Sequence, residues 1–271
     1  SQISLFALLQ TNTHLNKRKL RDDVPDYKPK RTRNIYSPGQ DKSFKLSRSK
    51  VESFINCERC FYLDRRLGIN QVPGFPFNIN SAVDELLKRE FDQYRENAKP
   101  HPYMIEAGIN AIPYQHDKLD KWRENFVGVQ YLHETSNFLL HGAIDDVWKT
   151  DEGELIVVDY KATSKKDKVN INAPWQQGYK RQMEFYQWLL RKNGFQVSNR
   201  GYFVYCNGRR DRDAFNAKVE FDVDLLPYDG NDNWVESTIE KIAVCLNQDE
   251  IPDPNENCAQ CKYNYEIIKH Y

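Results

Sequence analysis

The sequence predicts an α/β fold in which a mixed central β-sheet is flanked by helices. Three observations carry this. Residues 80–94 have amphipathic helical periodicity, with Val83, Leu86, Leu87 and Phe91 on one face. Strand-like runs follow at 127–132, 137–148 and 154–161. A long helical stretch over 175–192 then leads to a further strand-like run at 201–206, and this order packs helices onto a sheet.

The elements can be justified in order. Ser47 is placed to cap a helix through Phe54 and Ile55. Pro73, Gly74 and Pro76 mark 68–77 as a loop before the amphipathic helix. A shorter helix is expected over 116–126. Thr150-Asp151-Glu152-Gly153 is a turn sequence joining the second and third strand-like runs. The helix over 175–192 stops at Asn193-Gly194, a favourable C-cap. A strand at 217–225, a helix at 233–246 and a tail from 251 complete the chain, which has no internal repeat.

The chain has 271 residues, enough for one large domain or two small ones. No apolar run is long enough to cross a bilayer. Residues 1–10 are apolar but lack the basic start and small-residue cleavage site of a signal peptide. An intracellular, cytoplasmic protein with no membrane partner is therefore expected. The formal net charge of zero hides an asymmetry. Residues 1–16 carry no charged side chain, whereas 17–50 hold twelve Lys/Arg against four Asp, 12 − 4 = +8, leaving −8 for the rest. A basic segment on an acidic body points to a nucleic-acid contact, with a solvated tail as the plainer alternative. Residues 11–43 show no helical or strand period. Residues 1–45 are therefore expected as a flexible basic arm and 46–271 as the folded domain.

The hairpin carries the chemistry. Gly142-Ala143-Ile144-Asp145-Asp146 lies on one strand and Asp159-Tyr160-Lys161 on the next. With Glu152 at the turn centre, antiparallel pairing sets position 145 opposite 159. Side chains alternate along a strand, so Asp159 and Lys161 share a face, which Asp145 can join. Two carboxylates a few ångströms apart repel unless a cation lies between them. Mg²⁺ or Mn²⁺ prefers such hard oxygen ligands and can activate water against a phosphodiester. Lys161 can orient that water and stabilise charge developing on the phosphate. The plainer alternative is an ordinary strand-face ion pair. Gln182 and Tyr186 are four residues apart and share one helix face. Gln182 can bond a phosphate or a metal-bound water. Tyr186 can stack on a base or bond the backbone.

Four of the six cysteines form two C-x-x-C pairs, Cys57/Cys60 and Cys258/Cys261; Cys206 and Cys245 lie in apolar stretches and suit packing. Two thiolates at that spacing can reach one ion. The pairs are nearly two hundred residues apart, so a shared metal and plain buried thiols both remain open.

Gly142-x-Ile-Asp145, Asp159-Tyr-Lys161 and Gln182-x-x-x-Tyr186, in this order, resemble the PD-(D/E)XK nucleases, and in particular their RecB-like branch, which includes small nucleases of CRISPR adaptation. The segment from Ser47 through Phe54, Cys57 and Cys60 to Leu63 is similar to that branch's opening helix. The resemblance spans roughly 47–265. It implies a restriction-endonuclease-like core and Mg²⁺- or Mn²⁺-dependent exonucleolytic cleavage of DNA in repair, recombination or defence. Asp145 and Asp159 would be metal ligands, Lys161 the water-orienting residue, and Gln182 and Tyr186 the helix motif. The branch often carries a histidine ligand on an early helix. Here Asp84 occupies that place, so Asp84 or Glu85 is the expected third ligand. His141 borders the hairpin and is expected to be structural.

The resemblance also implies a four-iron cluster held by one upstream and three downstream cysteines. This chain departs from that pattern: Ile267 stands near the third downstream position, and Cys60 would make the set two plus two. Four thiolates suit a [4Fe–4S] cluster or a structural Zn²⁺. Gln2-Ile3-Ser4-Leu5-Phe6 resembles the peptide by which repair proteins dock on a sliding clamp. DNA with single-stranded regions, the clamp and a helicase or other DNA-processing subunit are the expected partners. Two rival readings are a non-catalytic DNA-binding or assembly subunit that retains the fold, and a metal-binding interaction module.

Overall fold

The computed structural model describes residues 30–71 and 78–270. The peptide from Gln2 to Phe6, the basic residues 17–29 and most of the expected 68–77 loop lie outside the described residues. Along the chain, β1 (Phe44–Ser47) leads into helices α1 (Arg48–Asn56) and α2 (Glu58–Arg65). Then come α3 (Asn78–Glu96), α4 (Pro102–Glu106), β2 (Ala111–Pro113) and α5 (Leu119–Arg123). Next are β3 (Val129–His133), β4 (Phe138–Gly142), β5 (Asp146–Thr150) and β6 (Leu155–Thr163). Helix α6 (Gln177–Lys192), β7 (Arg200–Gly208), β8 (Phe221–Asp229), α7 (Trp234–Asn247) and α8 (Ala259–Ile268) follow.

The strands form two sheets, β2-β5-β6-β7-β8 and β1-β4-β3. In the larger one β6 and β7 are parallel and every other pair antiparallel, so the sheet is mixed. The sequence of β6 explains its central place. Leu155 and Val157 pack with Met183, Phe185 and Leu189 of α6 on one face. Ile156, Val158 and Tyr160 pack with Leu87 and Phe91 of α3 on the other. A strand covered on both faces reads as a continuous apolar run. The fold is the expected mixed α/β, restriction-endonuclease-like core with helices flanking the sheet.

The turn after β5 forms as expected. Gly153, at φ +88°, donates its N–H to Thr150 O at 3.0 Å. Asp146 pairs with Val158, the register that puts 145 opposite 159. Helix α6 stops at Asn193-Gly194, where Gly194 at φ +85° donates its N–H to Arg191 O at 2.9 Å.

Several expectations are corrected. The run at 137–148 is two strands, β4 and β5, in different sheets. The chain breaks at 143–145, where the Ile144 N–H bonds Trp122 O at 3.0 Å instead of a strand neighbour. Of the arm expected over 1–45, the described residues 30–45 are in part packed on the body. Tyr36 is buried, its ring 5.3 Å from that of Phe44 and 6.0 Å from that of Phe138, and β1 pairs in parallel with β4. Two aromatic rings anchor a stretch that otherwise looks solvated. On α3, Leu86 is 60% exposed; the buried stripe is Leu87 and Phe91. Strand β8 begins at Phe221 because 209–220 turns, with Asn216 and Ala217 at positive φ and Arg212 paired to Glu220.

His141 lies in the middle of the smaller sheet, opposite Ser47 and Gln130, and is 7% exposed. Its Nδ1 has no hydrogen-bond partner. Burial, aided by the Lys45 charge, pushes its pKa down from 6.5 to about 4. A depressed histidine contributes stability that is fully present above pH 6.5 and lost as pH falls through about 4. That loss is about 3 kcal/mol at full protonation. His141→Leu is expected to flatten the fall in urea midpoint between pH 7 and pH 4.5 relative to the wild type. Parallel curves would show that another group titrates.

Candidate active site

β6 places two charged residues, Asp159 and Lys161, where α3 and α6 approach the sheet, and Asp145 joins them from the start of the hairpin. Asp159 is fully buried; its Oδ2 meets only the Lys161 ammonium, and its Oδ1 accepts no hydrogen bond. Its counter-ion is the Lys161 ammonium, two residues along the same strand and on the same face. Asp145 sits in the β4–β5 break, directly before β5, and its Oδ2 accepts the Tyr160 N–H at 2.8 Å. That bond crosses the hairpin and fixes Asp145 beside Asp159. Burial, followed by the Asp159 charge, raises the Asp145 carboxyl to about 6. Burial opposes the charge on Lys161, but Asp159 and Asp145 outweigh it and hold the ammonium above its ordinary pKa.

Helix α6 completes the face. Lys161 Nζ donates to Gln182 Oε1 at 3.4 Å, and Gln182 Nε2 donates to Tyr186 OH at 3.1 Å. Asp159, Lys161, Gln182 and Tyr186 thus form one continuous polar chain. Tyr186 is only 4% exposed, and its ring lies 2.5 Å from where a Cβ on Gly142 would stand. Gly142 is therefore the residue that lets α6 approach the hairpin. The expectation that Tyr186 can stack on a base is corrected: its ring is enclosed, and its hydroxyl accepts from Gln182.

From α3, Asp84 reaches the same cleft, which Asn80, Tyr160, Lys161 and Tyr179 also line. Burial and the nearby Asp145 charge raise its pKa against the pull of Lys88. Lys88 Nζ is 2.7 Å from Asp84 and 3.9 Å from Asp145, bridging them. Glu85 is not brought to the site. It is exposed and pairs with Arg89, because one helical residue turns it about 100° away from Asp84. Sequence reasoning missed Lys88 and Tyr179, whose ring centroid is 4.6 Å from Lys161 Nζ. Both were within reach of helical spacing, Lys88 four residues after Asp84 and Tyr179 three before Gln182.

The second acid of the Asp145-Asp146 pair points away from the cleft. Asp146 is fully buried and ion-paired to Arg95 and, at 3.1 Å, to Arg123. It also accepts the Tyr160 hydroxyl at 2.9 Å. Its place in the structure is a support beneath the hairpin.

Cys57, Cys60, Cys258 and Cys261 come together far from these acids in the chain. Their sulfurs all lie within 4.8 Å of one another, a cluster compatible with metal binding. Cys206 and Cys245 are buried apart from it, as packing residues. Among the described residues no helix is long and apolar enough to cross a membrane.

Comparison with known proteins bears on the whole body. No curated protein matches this chain. Among solved structures, the crystal structure of SSO0001 is similar at 14% identity and a TM-score of 0.33, covering 74% of each chain. The model of the PD-(D/E)XK nuclease superfamily matches residues 45–265. With that match spanning the hairpin, the site and most of the fold, the chain belongs to the PD-(D/E)XK nuclease superfamily, whose members are generally metal-dependent nucleases.

Proposed function

We propose that this protein is a Mg²⁺- or Mn²⁺-dependent deoxyribonuclease of the RecB-like kind. One observation carries the reading: two carboxylates, Asp145 and the fully buried Asp159, converge beside a single lysine, and Asp159 Oδ1 has no partner at all. Two neighbouring carboxylates out of water repel, and the pair is costly unless a cation lies between them. The donor set is all oxygen, which fits a hard divalent ion. Asp145 and Asp159 would hold it, with Asp84 as the third ligand. A divalent ion there supplies an acidified water and polarises the phosphodiester.

The chain's own residues divide the remaining work. Lys161 orients the attacking water and offsets charge that develops on the phosphate. Gln182 holds Lys161 in place, and Tyr186 holds Gln182. Lys88 keeps Asp84 and Asp145 together. Beside the cleft, Trp175 is 58% exposed, with Lys165 Nζ 5.0 Å from its ring centroid and Tyr179 edge-on at 5.6 Å. Such an aromatic and basic ledge suits stacked bases of a single-stranded stretch. The basic residues 17–50 would add backbone contacts. Exonuclease action in repair, recombination or defence, with a sliding clamp or a helicase as partner, extends this proposal.

The test is cleavage of single-stranded and duplex DNA by the purified protein with Mg²⁺, Mn²⁺ or EDTA. Cleavage with either metal and none with EDTA is expected. DNA binding with no cleavage under any metal would instead support a non-catalytic DNA-binding subunit.

A further inference from the structure

The cysteine cluster is tighter than the resemblance implies. Cys57 and Cys261 Sγ are 3.6 Å apart, Cys60 and Cys258 3.7 Å, and Cys60 and Cys261 3.8 Å. A cubane cluster places each thiolate on its own iron and spreads the sulfurs to roughly 6 Å. Four thiolates around one ion at a metal–sulfur distance of about 2.3 Å form a tetrahedron with edges of about 3.8 Å. These three spacings match the second arrangement, and all six separations stay within 4.8 Å, well short of a cubane's. They are also far beyond the roughly 2 Å of a disulfide, and all four cysteines are free.

The backbone around the cysteines suits a single ion as well. Cys57 sits at the N-terminus of α2, where its Sγ accepts the Cys60 N–H at 3.4 Å. Cys258 takes the same place before α8. Two short turns therefore present two thiolates each, as a pair of knuckles.

The C-terminal segment depends on this junction. Of the ten residues of α8, only Cys261 is buried, while Tyr263, Tyr265 and Ile268 are each more than 60% exposed. The hydrophobic cluster that contains Cys261 consists of the four cysteines. A helix this short is marginal alone in water. What fastens it to α1 and α2 is the cysteine junction, with the Asn255 Nδ2 bond to Asn56 O at 3.1 Å and the Arg59 bond to Pro252 O at 2.9 Å.

We propose that Cys57, Cys60, Cys258 and Cys261 hold one tetrahedral zinc ion, which clasps the C-terminal helix to the first two helices, in place of the iron–sulfur cluster of the resembling nucleases. Zinc forms closed four-thiolate structural sites and stands above Fe²⁺ in general affinity order. The proposal is independent of the nuclease reading, since none of its residues touches the acidic cleft.

The test is metal and sulfide analysis of full-length protein purified anaerobically from cells supplied with both iron and zinc. One zinc per chain, no labile sulfide and no visible iron–sulfur absorption are expected. Asp159→Asn should retain that zinc, whereas Cys258→Ser/Cys261→Ser should lose it. Iron in the site, with or without sulfide, overturns the proposal, as does a chain with no bound metal. Removing the ion with a strong chelator should speed proteolysis within 258–270 by roughly tenfold or more, with the nuclease body intact. Unchanged proteolysis after complete zinc removal overturns the clasp.

Discussion

Lys161→Ala is expected to lower the rate of metal-dependent DNA cleavage by about 10²–10³-fold, with little change in DNA affinity. The argument rests on position. The ammonium lies against a fully buried carboxylate and within 3.4 Å of Gln182 Oε1, inside the cleft where a phosphate would react. A charge held there, largely shielded from solvent, acts on the transition state, while contacts to the rest of the DNA are left intact. Lys161→Arg should not restore the rate, because a planar guanidinium cannot reproduce a compact ammonium between Asp159 and Gln182. Asp159→Asn is expected to be at least as damaging, since it removes the proposed cation ligand. Single-turnover cleavage beside a DNA-binding titration separates these effects. Equal cleavage by wild type and Lys161→Ala would remove Lys161 from the chemistry.

Asp146→Ala is expected to destabilise the fold by about 3–5 kcal/mol. Arg95 and Arg123 meet two acids, Asp92 and Asp146, beneath the hairpin, so the network is balanced in charge. Asp146 is fully buried, and it also accepts the Tyr160 hydroxyl and the Val147 N–H. Its removal leaves an uncompensated buried guanidinium and two unmet donors. Such a loss is a large fraction of a domain's total stability. Asp92→Ala should cost less, because the Asp92 side chain is 35% exposed and water can replace it. Urea unfolding checks both. A cost for Asp146→Ala below that of Asp92→Ala would show that the network does not carry the hairpin.

The hairpin was legible in the sequence because one turn and two adjoining apolar runs determine its register, and Asp145 and Asp159 follow by counting. Gln182 and Tyr186 were legible as residues four apart on one helix. Their roles were not: only the close fit of Tyr186 over Gly142 shows that the ring is enclosed. The break between β4 and β5 was hidden because both halves are apolar and continuous, and a contact with Trp122 from another element interrupts them. Tyr36 and Phe44 were obscured by the charged residues around them. Asp84 and Glu85 were equal candidates until the packing of Leu87 and Phe91 fixed the phase of α3. The cysteine pairs were legible as candidate metal ligands, but the spacing of their sulfurs depends on contacts between segments some two hundred residues apart.

The central claim is that Asp145 and Asp159 hold a divalent ion beside Lys161. A crystal structure of the protein soaked in Mn²⁺, with anomalous data, tests it most directly. The account predicts a manganese peak bonded to one oxygen of each carboxylate at about 2.2 Å, in oxygen-rich coordination, with Asp84 turned toward it and Glu85 still in solvent. A peak elsewhere, or none between the two carboxylates in crystals of protein that cleaves DNA with Mn²⁺, would contradict it.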